Sequence, residues 1–167
     1  MEAMGMHKDD VQLIRNAHEG AWLVVRTPFG DTARIKVTRG TPQGDALSPS
    51  LFNFFLNLCL RHLNDTGVGY THACGVRRNN TTFADDICLL ATSVEDMNRL
   101  LARVASFAEW AGMELCIPKC EVTAYNFRSK SELATHRIVY FDRPGATGKN
   151  LTRLAPEEAF KYLGIRL

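Results

Sequence analysis

The chain has 167 residues, 46% of them apolar, with 20 basic and 18 acidic side chains and a formal net charge of +2 at pH 7. That size and apolar content suit one domain with a hydrophobic core, and the charge is too small to advertise nucleic-acid binding by itself. No apolar run reaches the ~18 residues of a membrane span, and the N-terminus lacks the basic-then-apolar pattern of a signal peptide, so an intracellular protein of nucleus or cytoplasm is expected, neither secreted nor membrane-bound.

In chain order, residues 9–19 carry the pattern of a short amphipathic helix. Asp9 and Asp10 fall in its first turn, where acids suit the helix dipole. Trp22 to Thr27 and Thr32 to Thr38 read as a β-hairpin around Phe29-Gly30, with Ile35 and Val37 alternating against Arg34 and Lys36. Asp31 belongs to its turn signal. Ser48 and Pro49 start a second helix, serine as N-cap and proline at the first helical position. That helix runs to about Leu63 and carries Leu51, Phe52, Phe54, Phe55, Leu56, Leu58, Leu60 and Leu63 around most of its circumference, the mark of a core helix.

Thr81-Thr82-Phe83-Ala84-Asp85-Asp86-Ile87-Cys88-Leu89-Leu90-Ala91 places two adjacent carboxylates in a stretch that otherwise reads as buried strand. A desolvated carboxylate without a partner costs several kcal/mol or protonates, and a divalent cation is the usual remedy. Neighbouring strand residues point to opposite faces, but at a tight hairpin tip both can approach one pocket. A β–Asp–Asp–β hairpin holding Mg²⁺ is therefore expected, although Asp also favours plain turns.

Ser93-Val94-Glu95-Asp96 then opens the most clearly amphipathic helix. Met97, Leu100, Leu101, Val104, Phe107 and Ala108 lie on one face and Gly112 is its stop. Residues 113–127 and 137–141 look like strands, and 143–156 like a loop. The elements predict an α+β domain, an antiparallel sheet backed on one face by two helices. The five cysteines (59, 74, 88, 116 and 120) are odd in number and mostly set in apolar stretches, which suits reduced thiols. A zinc site from Cys116, Cys120, His72 and Cys74 lacks the usual CxxC spacing.

Upstream of the Asp pair lies Arg39-Gly40-Thr41-Pro42-Gln43-Gly44-Asp45-Ala46-Leu47-Ser48-Pro49-Ser50-Leu51-Phe52-Asn53. Downstream come Gly112 to Cys120, with Lys119 in a loop, and Phe160-Lys161-Tyr162-Leu163-Gly164. Four blocks in this order, over roughly residues 9–167, resemble the palm of reverse transcriptases. The Gln-Gly-Asp form and the closing Phe-Lys-Tyr-Leu-Gly look most like non-LTR retrotransposon enzymes. The resemblance implies a partial polymerase palm and RNA-dependent DNA synthesis, with RNA template, DNA primer and dNTP as partners. It also implies two-metal-ion catalysis with Mg²⁺ (Mn²⁺ as the alternative).

Carried over residue by residue, the resemblance makes Asp85 the main metal ligand and Asp86 a supporting one. Lys119 faces the triphosphate and helps protonate pyrophosphate, though a lone lysine can simply be solvated. Phe83 lies beside the primer terminus and Ala84 stays small so that nucleic acid can approach. Gln43 and Gly44 face the template or incoming nucleotide, since Gln43 both donates and accepts and the glycines allow close backbone approach. The plainer reading of that block is a strand-to-helix loop with Asp45 helping to cap. Arg39 is a phosphate contact, and Arg77 and Arg78 could be. Residues 160–164 look like the primer-gripping strand.

The family's first metal-binding aspartate, at the end of an upstream apolar strand, has no convincing counterpart among Glu2, Asp9, Asp10, Glu19 and Asp31. Residues 1–167 therefore read as one partial reverse transcriptase domain, part of fingers and palm, ending where a thumb would begin. On that reading the isolated chain is inactive or nearly so, and an unpaired sheet edge favours self-association. The alternative is a non-catalytic retroelement-derived remnant that binds nucleic acid or a protein partner.

Overall fold

A computed structural model describes residues 1–124, 138–140, 148–154, 161–162 and 165–166. The chain divides into two compact units, Met1–Phe55 and Leu56–Leu167.

In the first unit, helix α1 (Lys8–His18) starts where the His7 ring accepts the Asp9 N–H at 3.3 Å, with Asp9 and Asp10 in its first turn and Arg15 and His18 in its last. Both ends are charged in the sense that the helix dipole favours. A long hairpin follows: β1 (Trp22–Leu23) pairs with β4 (Ile35–Lys36), and β2 (Arg26–Thr27) with β3 (Gly30–Asp31). Between the two ladders Thr32 N–H donates to the Val25 carbonyl and Val25 N–H to Thr32 Oγ1, each at 3.0 Å. Asp31 stands 3.5 Å from Arg26 across the ribbon, and Gly30 supplies the positive φ of 115° that the turn requires. The hairpin lies over the expected residues, but its ladders are two residues each, Asp31 belongs to β3 and not to the turn, and Ile35 is exposed, so the alternation does not bury one side.

Helix α2 (Ser48–Asn64) begins in the first unit and ends in the second. Its start differs from the expectation. Ser48 is already helical, and its hydroxyl donates backwards to the Pro42 carbonyl at 2.6 Å and to Asp45 Oδ2 at 3.3 Å. Asp45 also accepts the Leu47 N–H at 3.1 Å, so the carboxylate, a better acceptor than a hydroxyl, serves the helix entrance. Nor is α2 buried all round: Leu56, Cys59 and Leu63 form its buried stripe, while Leu58 is exposed.

The second unit holds β5 (Tyr70–Thr71), β6 (Arg77–Arg78), β7 (Asn80–Phe83), β8 (Asp86–Leu89), α3 (Val94–Ala111), β9 (Glu121–Val122), β10 (Val139–Tyr140), β11 (Lys149–Asn150), β12 (Thr152–Arg153), β13 (Lys161–Tyr162) and β14 (Ile165–Arg166). Ser93 caps α3 by accepting the Asp96 N–H at 3.0 Å, and Gly112, left-handed at φ 62°, ends it by donating to the Ala108 and Glu109 carbonyls. Leu100, Leu101, Val104, Ala105, Phe107 and Ala108 are its buried face. Around Leu101 and Ala105 pack Leu89, Met97, Leu115, Ile117, Ile138 and Leu151. Arg103 of α3 donates to the His62 ring of α2 at 3.3 Å.

The class is α+β, with the pairing organised among the described residues as two-stranded ladders, all antiparallel except β9 with β12. Three expectations change. Residues 113–116 are not strand, Ile117–Lys119 is a 3-10 turn, and only Glu121–Val122 of the 113–124 stretch is extended in a ladder. Pro118 explains part of this, since it cannot donate to a ladder. The 143–156 stretch contains β11 and β12 rather than loop alone. Cys116, in the stretch expected to be strand, is exposed. Phe160, Leu163 and Gly164 lie outside the described residues, as do positions 125–137. No helix among the described residues is long and apolar enough to cross a membrane.

Candidate metal and nucleotide site

The pairing of Phe83 with Asp86 leaves Ala84 and Asp85 as a two-residue turn between β7 and β8. Two-residue hairpin turns favour positive φ at a central residue. Here Ala84 supplies it at φ 51°, the sole non-glycine residue to do so among those described. A left-handed L-residue costs roughly 1–2 kcal/mol, which a small side chain keeps at the low end. The small size of residue 84 thus has a backbone reason as well as the steric one the resemblance implies. Asp85 leaves the strand while Asp86 begins β8, so the strict alternation of facing does not bind the pair.

Both carboxylates are exposed, and neither has a hydrogen bond or ion pair among the described residues. The expectation of a desolvated pair in buried strand is therefore corrected. Burial starts only behind the tip, with Ile87, Cys88, Leu89 and Leu90 half-buried. The carboxylates do not need a cation to be tolerated, and they are open to one. Phe83, 64% exposed, stands beside them as an unpacked aromatic surface. Among the described residues no further His, Cys, Asp or Glu makes the pair a cluster of three.

The base of the hairpin is fixed by a buried polar residue that the sequence reading passed over. Asn79 is 5% exposed, and its Nδ2 donates to the Leu63 carbonyl at the end of α2 at 2.8 Å. Its own carbonyl accepts the Leu90 N–H at 2.8 Å. Asn80 Nδ2 donates to Asn79 Oδ1 at 2.6 Å and to Asn64 Oδ1 at 3.4 Å, and Thr82 Oγ1 to Asn80 Oδ1 at 3.5 Å. The chain of amides ties the last turn of α2 to the strand that carries Phe83. Asn is depleted in strands, so two in succession at a strand start were the available signal that side-chain partners must be present.

The remaining candidates sit on other elements. Gln43 is exposed in the loop from Gly40 to Asp45, in the first unit. Gly40 and Gly44 have φ of 75° and 87° with open space where a Cβ would stand, so backbone conformation, not crowding, selects glycine there. Arg39 precedes that loop and is exposed. Lys119 is exposed at the end of the Ile117–Lys119 turn, where its N–H donates to the Cys116 carbonyl at 2.9 Å. The structure brings Phe83, Ala84, Asp85 and Asp86 together on one turn. It carries Arg39, Gln43 and Gly44 on one loop segment, and Lys119 on a third element. Of the upstream acids, Asp9 and Asp10 are first-turn residues and Asp31 pairs with Arg26.

A sequence profile described as reverse transcriptase (RNA-dependent DNA polymerase) matches residues 3–167. The chain is 30% identical over 169 residues to the Retrovirus-related Pol polyprotein from type-1 retrotransposable element R2 of Popillia japonica, covering 99% of this chain and 27% of that protein. It is 31% identical over 135 residues to the corresponding R2 polyprotein of Nasonia vitripennis, covering 78% of this chain and 12% of the relative. Against the type-2 element R2DM polyprotein of Drosophila melanogaster it is 28% identical over 166 residues, covering 99% of this chain and 15% of the relative. The chain thus spans between 12% and 27% of the length of these relatives.

Proposed function

As the chain belongs to the reverse transcriptase (RNA-dependent DNA polymerase) family, of the non-LTR retrotransposon type, we propose that it carries the metal-holding hairpin of a palm that extends a DNA primer on an RNA template. The observation that carries this is the Asp85-Asp86 tip: two adjacent, exposed carboxylates without an ion-pair partner among the described residues, at a turn anchored through Asn79. Asp85 and Asp86 would hold Mg²⁺, or Mn²⁺, through their carboxylate oxygens, the donor type that both ions favour. A divalent cation held there would help activate the attacking oxygen and stabilise the leaving one.

The chain's own groups do the rest. Asp85 is the main ligand and Asp86 the supporting one. Phe83 offers an apolar ring to the primer terminus, and Ala84 keeps the turn low beneath it. Gln43 presents a donor and an acceptor to template or incoming dNTP, and Gly44 lets the backbone approach. Arg39 contacts a phosphate. Lys119 delivers a proton to departing pyrophosphate. Self-association through exposed ladder edges belongs to the same reading, and light scattering showing a clean monomer would remove it.

The test is Mn²⁺ binding by electron paramagnetic resonance beside primer extension on an RNA template. Binding that Asp85→Asn weakens supports the site. Extension by the 167-residue chain alone is expected to be absent or nearly so, because two carboxylates are one short of the set that the family resemblance implies. Binding indifferent to Asp85→Asn and Asp86→Asn would sink the metal site and favour a non-catalytic remnant.

A further inference from the structure

The ribbon of β5 and β6, immediately before the hairpin, is built with more care than a connector needs. Tyr70 pairs with Arg78 and Thr71 with Arg77. Side chains alternate along a strand and paired residues share a face, so Tyr70, His72 and Arg78 lie on one side and Thr71 and Arg77 on the other. The Tyr70 and His72 rings meet edge to face, with centroids 5.1 Å apart at 83°. Tyr70 is 48% exposed, and His72 and Arg78 are exposed too. On the opposite face the Arg77 guanidinium is turned back to donate to the Gly67 carbonyl. Gly69 lies so close to β6 that a Cβ there would meet the Arg78 carbonyl oxygen at 2.6 Å. His72 N–H donates to the Val76 carbonyl and Gly75 N–H to the His72 carbonyl, both at 2.9 Å, which closes the end of the ribbon.

One arginine is thus used to hold the ribbon while the other is left outward beside two rings. From Thr66 to Ala84 the chain carries Arg77, Arg78 and His72 and no carboxylate, and the acid beside the ribbon, Asp96 of α3, lines a hollow with Tyr70, Thr71 and Arg77. No ion pair of Arg78 is found among the described residues. We propose that the Tyr70–His72–Arg78 face is a docking platform for one strand of nucleic acid, with a base stacked on Tyr70 and its phosphates near Arg78. Charge complementarity admits any polyanion, but the exposed ring faces select one that carries planar bases.

The position adds direction. Asn79 alone separates β6 from β7, and the four residues of β7 span about 13 Å at ~3.3 Å each. With Asn79 included, a base-stacked strand lying along the ribbon, at ~3.4 Å per nucleotide, would reach the Phe83–Asp86 tip after about five nucleotides. That destination rests on the polymerase reading; the binding itself does not.

The test is fluorescence anisotropy of a labelled 12-nucleotide RNA, its DNA counterpart and the matching duplex, with the full chain in EDTA. Without divalent cations the result is independent of the Asp85-Asp86 site, so either reading can fail alone. Single strands are expected to bind better than duplex. Tyr70→Ala should weaken binding about five-fold or more, while Tyr70→Phe keeps it. Arg78→Gln should reduce the slope of log K against log salt by about 0.7. Three results would overturn the proposal: Tyr70→Ala and Arg78→Gln both binding like the parent chain, duplex preferred over single strand, or polyglutamate competing as well as the oligonucleotide per charge. Loss of binding by Tyr70→Phe, whose ring is intact, counts against stacking.

Discussion

Replacing Asn79 probes the anchor of the hairpin with a magnitude that follows from the contacts. Asn79→Ala removes two side-chain hydrogen bonds, Asn79 Nδ2 to the Leu63 carbonyl at 2.8 Å and Asn80 Nδ2 to Asn79 Oδ1 at 2.6 Å. The Leu63 carbonyl is not orphaned, since Thr66 Oγ1 and N–H still donate to it at 2.7 and 3.1 Å. The loss is then that of two ordinary bonds at ~1 kcal/mol each, about 2 kcal/mol in all. Asn79→Asp keeps the acceptor for Asn80 but turns the donor into a buried carboxylate facing a carbonyl oxygen. That substitution should cost more, about 3 kcal/mol at neutral pH. Acid should return part of the loss, because the neutral carboxyl donates to Leu63 again. Urea unfolding reads these as shifts in midpoint at constant slope, and hydrogen exchange at the Leu90 amide and along β7–β8 localises them. An alanine variant within 0.5 kcal/mol of the parent, on the order of a surface change, would refute the anchoring argument. So would Asn79→Asp no worse than Asn79→Ala at pH 7.

The other predictions concern the turn, the helix ends and a buried thiol. At Ala84, φ 51°, Ala84→Val should destabilise by about 1–2 kcal/mol, whereas Ala84→Gly should be close to neutral because relief of strain offsets unfolded-state entropy; denaturant midpoints of both variants check the order. Ser93→Ala and Gly112→Ala, which remove the N-cap acceptor and burden the left-handed C-cap of α3, should each cost about 1 kcal/mol by the same measurement. Burial pushes the Cys59 thiol up to about 11 from 9.0. Between those pH values the unfolded chain has lost this proton and the folded chain keeps it, so its contribution to stability falls as pH rises through the window. Comparing the parent with Cys59→Ala at pH 8 and pH 10 should show a steeper loss for the parent, and parallel losses would contradict it.

Much of the architecture is written in local pattern. The 3.6-residue spacing of Leu100, Leu101, Val104, Phe107 and Ala108, framed by Ser93 and Gly112, places α3 and its buried face. Likewise, Phe29-Gly30 marks the first hairpin and Asp9-Asp10 the first turn of α1. The Phe-Ala-Asp-Asp turn is equally plain, because two acids between alternating strand residues leave few other geometries. What local pattern missed depends on partners distant in sequence. Residues 113–116 look extended yet form no ladder, whereas the reading of Asp45 as a helper at the α2 entrance holds because its carboxylate reaches the Leu47 N–H two residues on.

The sequence by itself determined the helices, the hairpin that carries Asp85 and Asp86, and the family, since each rests on residues close together in the chain or on blocks in a fixed order. Only the tertiary structure decided that the carboxylates stand in solvent, that Asn79 binds the hairpin to the end of α2, and that Arg78 faces outward while Arg77 is consumed. Burial and amide pairing are set by what packs alongside. A residue such as Asn79 meets a carbonyl sixteen positions away, and no local periodicity encodes that contact.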